Sequence, residues 1–101
     1  GDCMQIHDQG GEPRALILEG RLDSESAAAL EASIAKALED APGELRLVMA
    51  AVDYLSSAGL RELVRGHKLA TAKGARFGAS QASDRVRSVL KVAGLSHLLL
   101  D

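Results

Sequence analysis

A chain of 101 residues with 12 Lys and Arg against 14 Asp and Glu, net charge −2, has the size of one small domain with a single core. The charges of both signs are scattered, and Tyr54 and Phe77 are the only aromatic rings, which argues against a basic field or stacking platform for nucleic acid. Cys3 is the one cysteine, which excludes an internal disulfide and a cysteine-based zinc site and fits a reducing compartment. No apolar run approaches the roughly 18 residues needed to span a bilayer, and the first residues form no secretory leader, so a cytoplasmic domain without membrane insertion is expected. Residues 1–3 are expected to be a terminal remnant without a role in the fold, with the domain running over residues 4–101.

In chain order, Met4 to Asp8 alternates weakly as a strand, and the turn cluster Gln9-Gly10-Gly11-Glu12-Pro13 leads into a second strand at Ala15 to Glu19, a hairpin pattern. After Gly20, Asp23 or Ser24 can cap a helix whose apolar residues Ala27, Leu30, Ile34, Ala37 and Leu38 recur at helical spacing until Pro42-Gly43. Leu45 to Val52 predicts the central strand, apolar on both sides at its far end as in a strand buried on both faces. The next helix is predicted from Ser57 to about Lys73, with Leu60, Leu63, Val64 and His67 on one face, Arg61, Arg65 and Lys68 on another, and Gly74 at the exit. Arg76 to Ala79 is a short strand, Ser83 caps a helix with Val86, Val89, Leu90 and Ala93 inward and Gly94 at its end, and Leu98 to Leu100 is a last strand. The order ββαβαβαβ predicts an α/β domain with a mixed, mostly parallel sheet of about five strands and helices packed on it.

Few catalytic constellations are available to such a chain. His7, His67 and His97 are far apart in sequence and none belongs to a metal-binding pair; no phosphate-binding glycine loop exists, since Gly10-Gly11 sits in a hairpin turn. No cofactor and no metal are expected, and His67 reads as a histidine at the edge of the core. What remains is the break from strand to helix at Asp53-Tyr54-Leu55-Ser56-Ser57-Ala58-Gly59-Leu60, where a hydroxyl stands at a helix start and backbone N–H groups, those of Gly59 and Leu60 among them, are expected to be unpaired. Gly59 would let another backbone approach closely, and Gly66, inside the helix, indicates tight packing.

This step resembles the signature of the STAS domain family, the fold of bacterial anti-sigma-factor antagonists (anti-anti-sigma factors). There an aspartate-serine-serine-glycine-leucine run follows the central strand; here it is Ser56-Ser57-Ala58-Gly59-Leu60. Gly20-Arg21-Leu22-Asp23 is similar to the family's glycine-x-leucine-aspartate before the first helix, and Ser83 to Leu95 to its late helix ending in glycine-leucine. The resemblance implies a non-enzymatic module in a partner-switching circuit. It would bind a serine kinase that is also the anti-sigma factor, of the histidine-kinase-like ATPase fold, be released once phosphorylated, and be reset by a serine phosphatase.

By position the implied phosphoacceptor is Ser57, with Ser56 as the competing acceptor, because Ser56 stands where the family commonly has an acid. The second serine of the family's pair is Ala58 here, and an aspartate often found near the end of the central strand falls at Val48. The implied partner-binding residues are Asp23, Tyr54, Ser56, Ser57, Ala58, Gly59 and Arg61. Several of these have a plain structural reading as well: Ser56, Ser57 and Asp23 as helix caps, and Arg61, with Arg65 and Lys68, as a solvated helix surface rather than a face for an acidic partner. The alternative function is a STAS subunit serving as cytoplasmic structural partner of a lipid or anion transporter, with no phosphate required; a ligand or nucleotide sensor is least supported. The family often continues past the last strand, which leaves open a missing terminal helix or a longer parent chain.

Overall fold

A computed structural model describes residues 4–101; the expected remnant at residues 1–3, Cys3 included, lies outside them. The chain forms β1 (Gln5–Gly10), β2 (Arg14–Leu22), α1 (Ser24–Leu38), β3 (Glu44–Leu55), α2 (Ser57–Ala72), β4 (Arg76–Ser80), α3 (Asp84–Val92) and a short 3-10 turn at Ser96–Leu98. One sheet takes the order β1-β2-β3-β4, with β1 antiparallel to β2, and β2, β3 and β4 parallel to one another. The predicted α/β domain with a mixed, mostly parallel sheet is therefore the observed fold. The last predicted strand contracts to the 3-10 turn, a single bridge between Leu99 and Ala79, and a 2.8 Å hydrogen bond from the Leu100 N–H to the Ala79 carbonyl.

The strand alternation sorts the sheet into two unlike faces. Leu16, Leu18, Leu45, Leu47, Met49, Phe77 and Ala79 are buried and form one cluster with Leu30 and Ile34 of α1, Leu63 and Ala70 of α2, and Val86 and Leu90 of α3. Ala15, Ile17, Arg46 and Val48, between them in the register, are only half-buried. The central strand is thus covered fully on one face, and its far end is open at Ala50 and Ala51, contrary to the burial on both faces expected from its composition. Two alanines there expose little apolar area, so the opening costs little. Arg14 ties the hairpin to the end of α1 through Asp8 at 2.8 Å and Asp40 at 2.6 Å, and its guanidinium holds the Asp8 carboxyl down to about 2.

Only part of the apolar face of the second helix turns fully inward. Its buried residues are Gly59, Glu62, Leu63, Gly66 and Ala70, whereas Leu60 and Val64 are half-exposed. The small residues decide this. A Cβ added at Gly66 would stand 2.9 Å from both Ile34 of α1 and Phe77 of β4, so the glycine edge is where α2 approaches its neighbours most closely. Glu62 is carried inward with that edge, 5% exposed; burial pushes its carboxyl up, opposed by Arg65, whose Nε donates to Oε1 at 3.3 Å.

Candidate functional site

The start of α2 is built on the ends of β2 and β3. The parallel register pairs Leu22 with Leu55 and Arg21 with Tyr54, so the two strands finish side by side before their helices begin. The Ser56 N–H donates to the Leu22 carbonyl at 3.0 Å and locks the strand-to-helix step of one segment to that of the other. Gly59 completes the joint: a Cβ there would stand 2.6 Å from the Leu22 carbonyl oxygen and 2.9 Å from Leu55 Cδ1, closer than van der Waals contact permits. The close approach anticipated for Gly59 is therefore observed, and its partner is the end of β2.

The two serines divide the work at this joint. Ser56 is the N-cap, with extended backbone (φ −91°, ψ 174°), and its half-buried hydroxyl accepts the Gly59 N–H at 3.2 Å. Ser57 is the first helical residue; its side chain is exposed and has no hydrogen-bond partner among the described residues. The N–H groups of Gly59 and Leu60, expected to be unpaired, are both engaged, the first by Ser56 Oγ and the second by the Ser56 carbonyl at 2.9 Å. The N–H groups without an acceptor among the described residues are those of Ser57 and Ala58 themselves. No acidic residue stands in the first turn of α2, so the helix supplies no carboxylate of its own to offset the positive end of its dipole.

Asp23 caps the neighbouring helix. Its Oδ1 accepts the N–H groups of Glu25 at 3.0 Å and Ser26 at 3.2 Å, while Ser26 Oγ accepts the Asp23 N–H at 2.9 Å, a reciprocal capping box. The hydrogen bond from the Ser26 backbone above all holds the Asp23 carboxyl below the usual carboxylate range. Both expected uses of Asp23 are compatible with its place: it is a cap, and it follows directly on Leu22, which touches Ser56 and Gly59.

Sequence reasoning passed over Arg21. Its guanidinium carbon lies 4.0 Å from the centroid of the Tyr54 ring, and its Nε is 3.7 Å from Asp23 Oδ2. Among the described residues Tyr54 is one of two large apolar side chains left exposed, at 37%. The only signal for the trio was the motif Gly20-Arg21-Leu22-Asp23 itself, because the Arg21–Tyr54 neighbourhood depends on strand register. Ala58 is half-buried and Arg61 exposed, one turn along the helix from Ser57. The structure thus brings Ser56, Ser57, Ala58 and Gly59 together at one helix start, sets Asp23 and Tyr54 on the adjoining strand ends, and leaves Arg61 on the outer face.

Away from this site, His67 and His97, distant in sequence, meet with ring centroids 5.5 Å apart, and His67 also packs edge-on against Phe77 at 6.3 Å. His67 is half-buried, the core-edge setting expected for it, but with a histidine neighbour that sequence spacing did not disclose. No third His, Cys, Asp or Glu joins them as a metal ligand among the described residues. No helix among the described residues is long and apolar enough to cross a membrane.

No curated protein matches the chain in sequence. The chain is similar in fold to the crystal structure of an anti-sigma factor antagonist from Mycobacterium paratuberculosis, at 23% identity over 98% of this chain and 85% of that one, with a TM-score of 0.84. It is similar also to the anti-sigma factor antagonist SpoIIAA in its unphosphorylated form, at 20% identity over 98% of this chain and 87% of that one, TM-score 0.77. The phosphorylated form of SpoIIAA, described as a Bacillus cell fate determinant, matches at 19% identity over 98% and 90% of the two chains, TM-score 0.71. A family model described as Mlab, STAS domain matches residues 7–101, from the first strand through the last residue, and the chain belongs to the STAS domain family.

Proposed function

We propose that this STAS domain is a non-catalytic binding module of the anti-sigma-factor antagonist type, switched by phosphorylation of Ser57. In this reading the unmodified form binds a serine kinase of the histidine-kinase-like ATPase fold that doubles as anti-sigma factor; phosphate releases it, and a serine phosphatase restores it. The observation that carries the choice of residue is the division between the serines. Ser56 Oγ is committed to Gly59 N–H, whereas Ser57 offers a free, exposed hydroxyl at the first helical position. The likeness in fold to SpoIIAA, a protein known in phosphorylated and unphosphorylated forms, supports the reading.

The physics of the switch follows from the same place. A phosphate adds about −1.5 to −2 charges beside two unpaired N–H groups at a helix end, which returns roughly 0.3–1 kcal/mol per charge when exposed. The domain itself therefore tolerates the modification. A partner packed over Tyr54 and the start of α2 would have to desolvate that phosphate, a penalty of several kcal/mol, on the order of a thousandfold in affinity. In this reading Asp23, Tyr54, Ser56, Ala58 and Arg61 are contact residues around the acceptor, and Gly59, buried beneath them, serves the partner by holding the helix start against Leu22.

The experiment is to incubate the domain with ATP and each histidine-kinase-like ATPase of the source genome and to map the modified residue by mass spectrometry. Label on Ser57, lost in Ser57→Ala and kept in Ser56→Ala, is the expected result; label on Ser56 alone would overturn the assignment. A second reading, the cytoplasmic structural partner of a lipid or anion transporter, is favoured by one feature: Ser56 replaces the acid that a kinase of this family would meet beside its target. Stable complex formation with a permease, unchanged in Ser57→Ala and with no phosphate found, would put that reading first.

A further inference from the structure

The packing of α2 on its glycine edge leaves Leu60 and Val64 half-exposed. With Ala93 and Leu95 from the end of α3 and the turn after it, they line an open groove of about 520 Å³ to which Ser57 also contributes. Through Leu60 and Ala93 the apolar floor continues to Val89 and Val92, and Val92 is 90% exposed. The α2 edge of the groove carries Arg61, Arg65 and Lys68, and no acidic residue lines it. Arg65 is already engaged by Glu31 at 2.7 Å and Glu62 at 3.3 Å, whereas Arg61 and Lys68 have no carboxylate partner among the described residues.

We propose that this groove is the docking site for an amphipathic helix of a partner protein, with leucine-like side chains on the Leu60–Val64–Leu95 floor and acidic residues against Arg61 and Lys68. A groove between helix surfaces with one cationic edge suits a helix laid into it, where apolar anchors supply affinity and the charged edge sets partner choice and orientation. A membrane surface fits less well, because the domain is net negative and only two of the three edge cations are free. The groove also deepens the switch, and this part rests on the Ser57 reading above. Ser57 and Arg61 both line the groove and are one helical turn apart, the spacing at which side chains pair, so a phosphate on Ser57 takes Arg61 from the incoming acid and sets negative charge in the groove.

The test uses unphosphorylated, isotope-labelled protein and synthetic helical peptides that share one leucine stripe and differ only in flanking Glu, Gln or Lys. Titration followed by NMR is expected to shift the amides of Leu60, Val64, Val92 and Leu95 with the Glu-flanked peptide in preference to the Lys-flanked one. Arg61→Glu and Lys68→Glu are each expected to weaken the Glu-flanked peptide on the order of tenfold, with salt weakening it in the wild type. Val92→Asp, at an exposed site that leaves folding intact, is expected to abolish the shifts along the floor. Equal binding of the Glu and Lys peptides, shifts confined elsewhere, or no saturable binding by any of them overturns the proposal. So does a dimer that Val92→Asp dissolves, or binding to phosphatidylglycerol vesicles that Arg61→Glu removes, since either assigns the groove to another occupant. No kinase enters this experiment, so its failure leaves the labelling of Ser57 untouched. Ser57→Asp is expected to weaken the Glu-flanked peptide on the order of tenfold, and no change there overturns the coupling through Arg61 alone.

Discussion

The starts of α1 and α2 are neighbours built to opposite specifications. At α1 an aspartate caps the helix, the third helical residue Ser26 returns the bond, and Glu25 adds a second carboxylate in the first turn. At α2 a neutral serine caps the helix, the third helical residue is Gly59 with no side chain to return, and the first turn has no acid. One helix end is closed and charge-compensated by its own residues; the other keeps two N–H groups and one hydroxyl unspent. The contrast shows that a helix start can be made stable or made receptive, and that here the stable one serves as the abutment of the receptive one through Leu22.

The comparison breaks most severely at Gly59. Gly59→Ala places a methyl 2.6 Å from the Leu22 carbonyl oxygen, and is expected to cost about 1–3 kcal/mol or more, read as a lowered urea midpoint. The matching change at the closed end, Ser26→Ala, removes the returned bond and a 2.7 Å hydrogen bond from Ser26 Oγ to the Arg21 carbonyl but forces no clash, so it should cost less. A milder cost than this for Gly59→Ala would mean that α2 can slide away from β2, and that the joint is not rigid.

Next comes Asp23→Ala, expected to lower the melting temperature by about 5 °C at neutral pH. The pH dependence carries a definite sign. The folded carboxyl titrates below its unfolded value, so its contribution is present above about pH 4 and is lost as pH falls through the folded pKa. The gap between wild type and Asp23→Ala should therefore narrow toward acid; a gap independent of pH would show that Asp23 acts by packing alone.

The smallest effects separate the two serines. Ser56→Ala should cost about 1 kcal/mol, as removal of a cap does, while Ser57→Ala should fall within about 0.5 kcal/mol and Ser57→Asp should gain roughly 0.3–1 kcal/mol from the uncompensated helix end. Thermal melts of the three variants decide the matter. Equal losses for both alanine variants would remove the distinction between the serine that holds the helix and the one left free.

Features written in local sequence proved readable. Asp23 and Ser83 cap their helices, Gly74 and Gly94 follow the helix ends at positive φ, and the break from β3 into α2 falls between Leu55 and Ser57. Features that depend on what the chain packs against were not. Leu98-Leu99-Leu100 has the composition of a strand, but the chain reaches β4 through a 3-10 turn and pairs at one residue. On α2 the tight packing read from Gly66 is present, but which of the apolar residues Leu60, Leu63 and Val64 turns fully inward follows from how closely the glycines let its neighbours approach. The contacts of Arg21 with Tyr54 and of His67 with His97 join segments far apart in sequence, and no local pattern encodes a register across such a distance.

The two outer strands bear on how a second molecule can meet this fold. On β1, Gln5, His7 and Asp8 are exposed and the register shifts between Asp8 and Gly10, an irregularity that interrupts the ladder a foreign strand would need. On β4 the edge is short, and the tail from Leu98 to Leu100 already occupies it at Ala79. Growth of the sheet by strand addition is discouraged at both margins, which works against edge-to-edge association of one domain with the next.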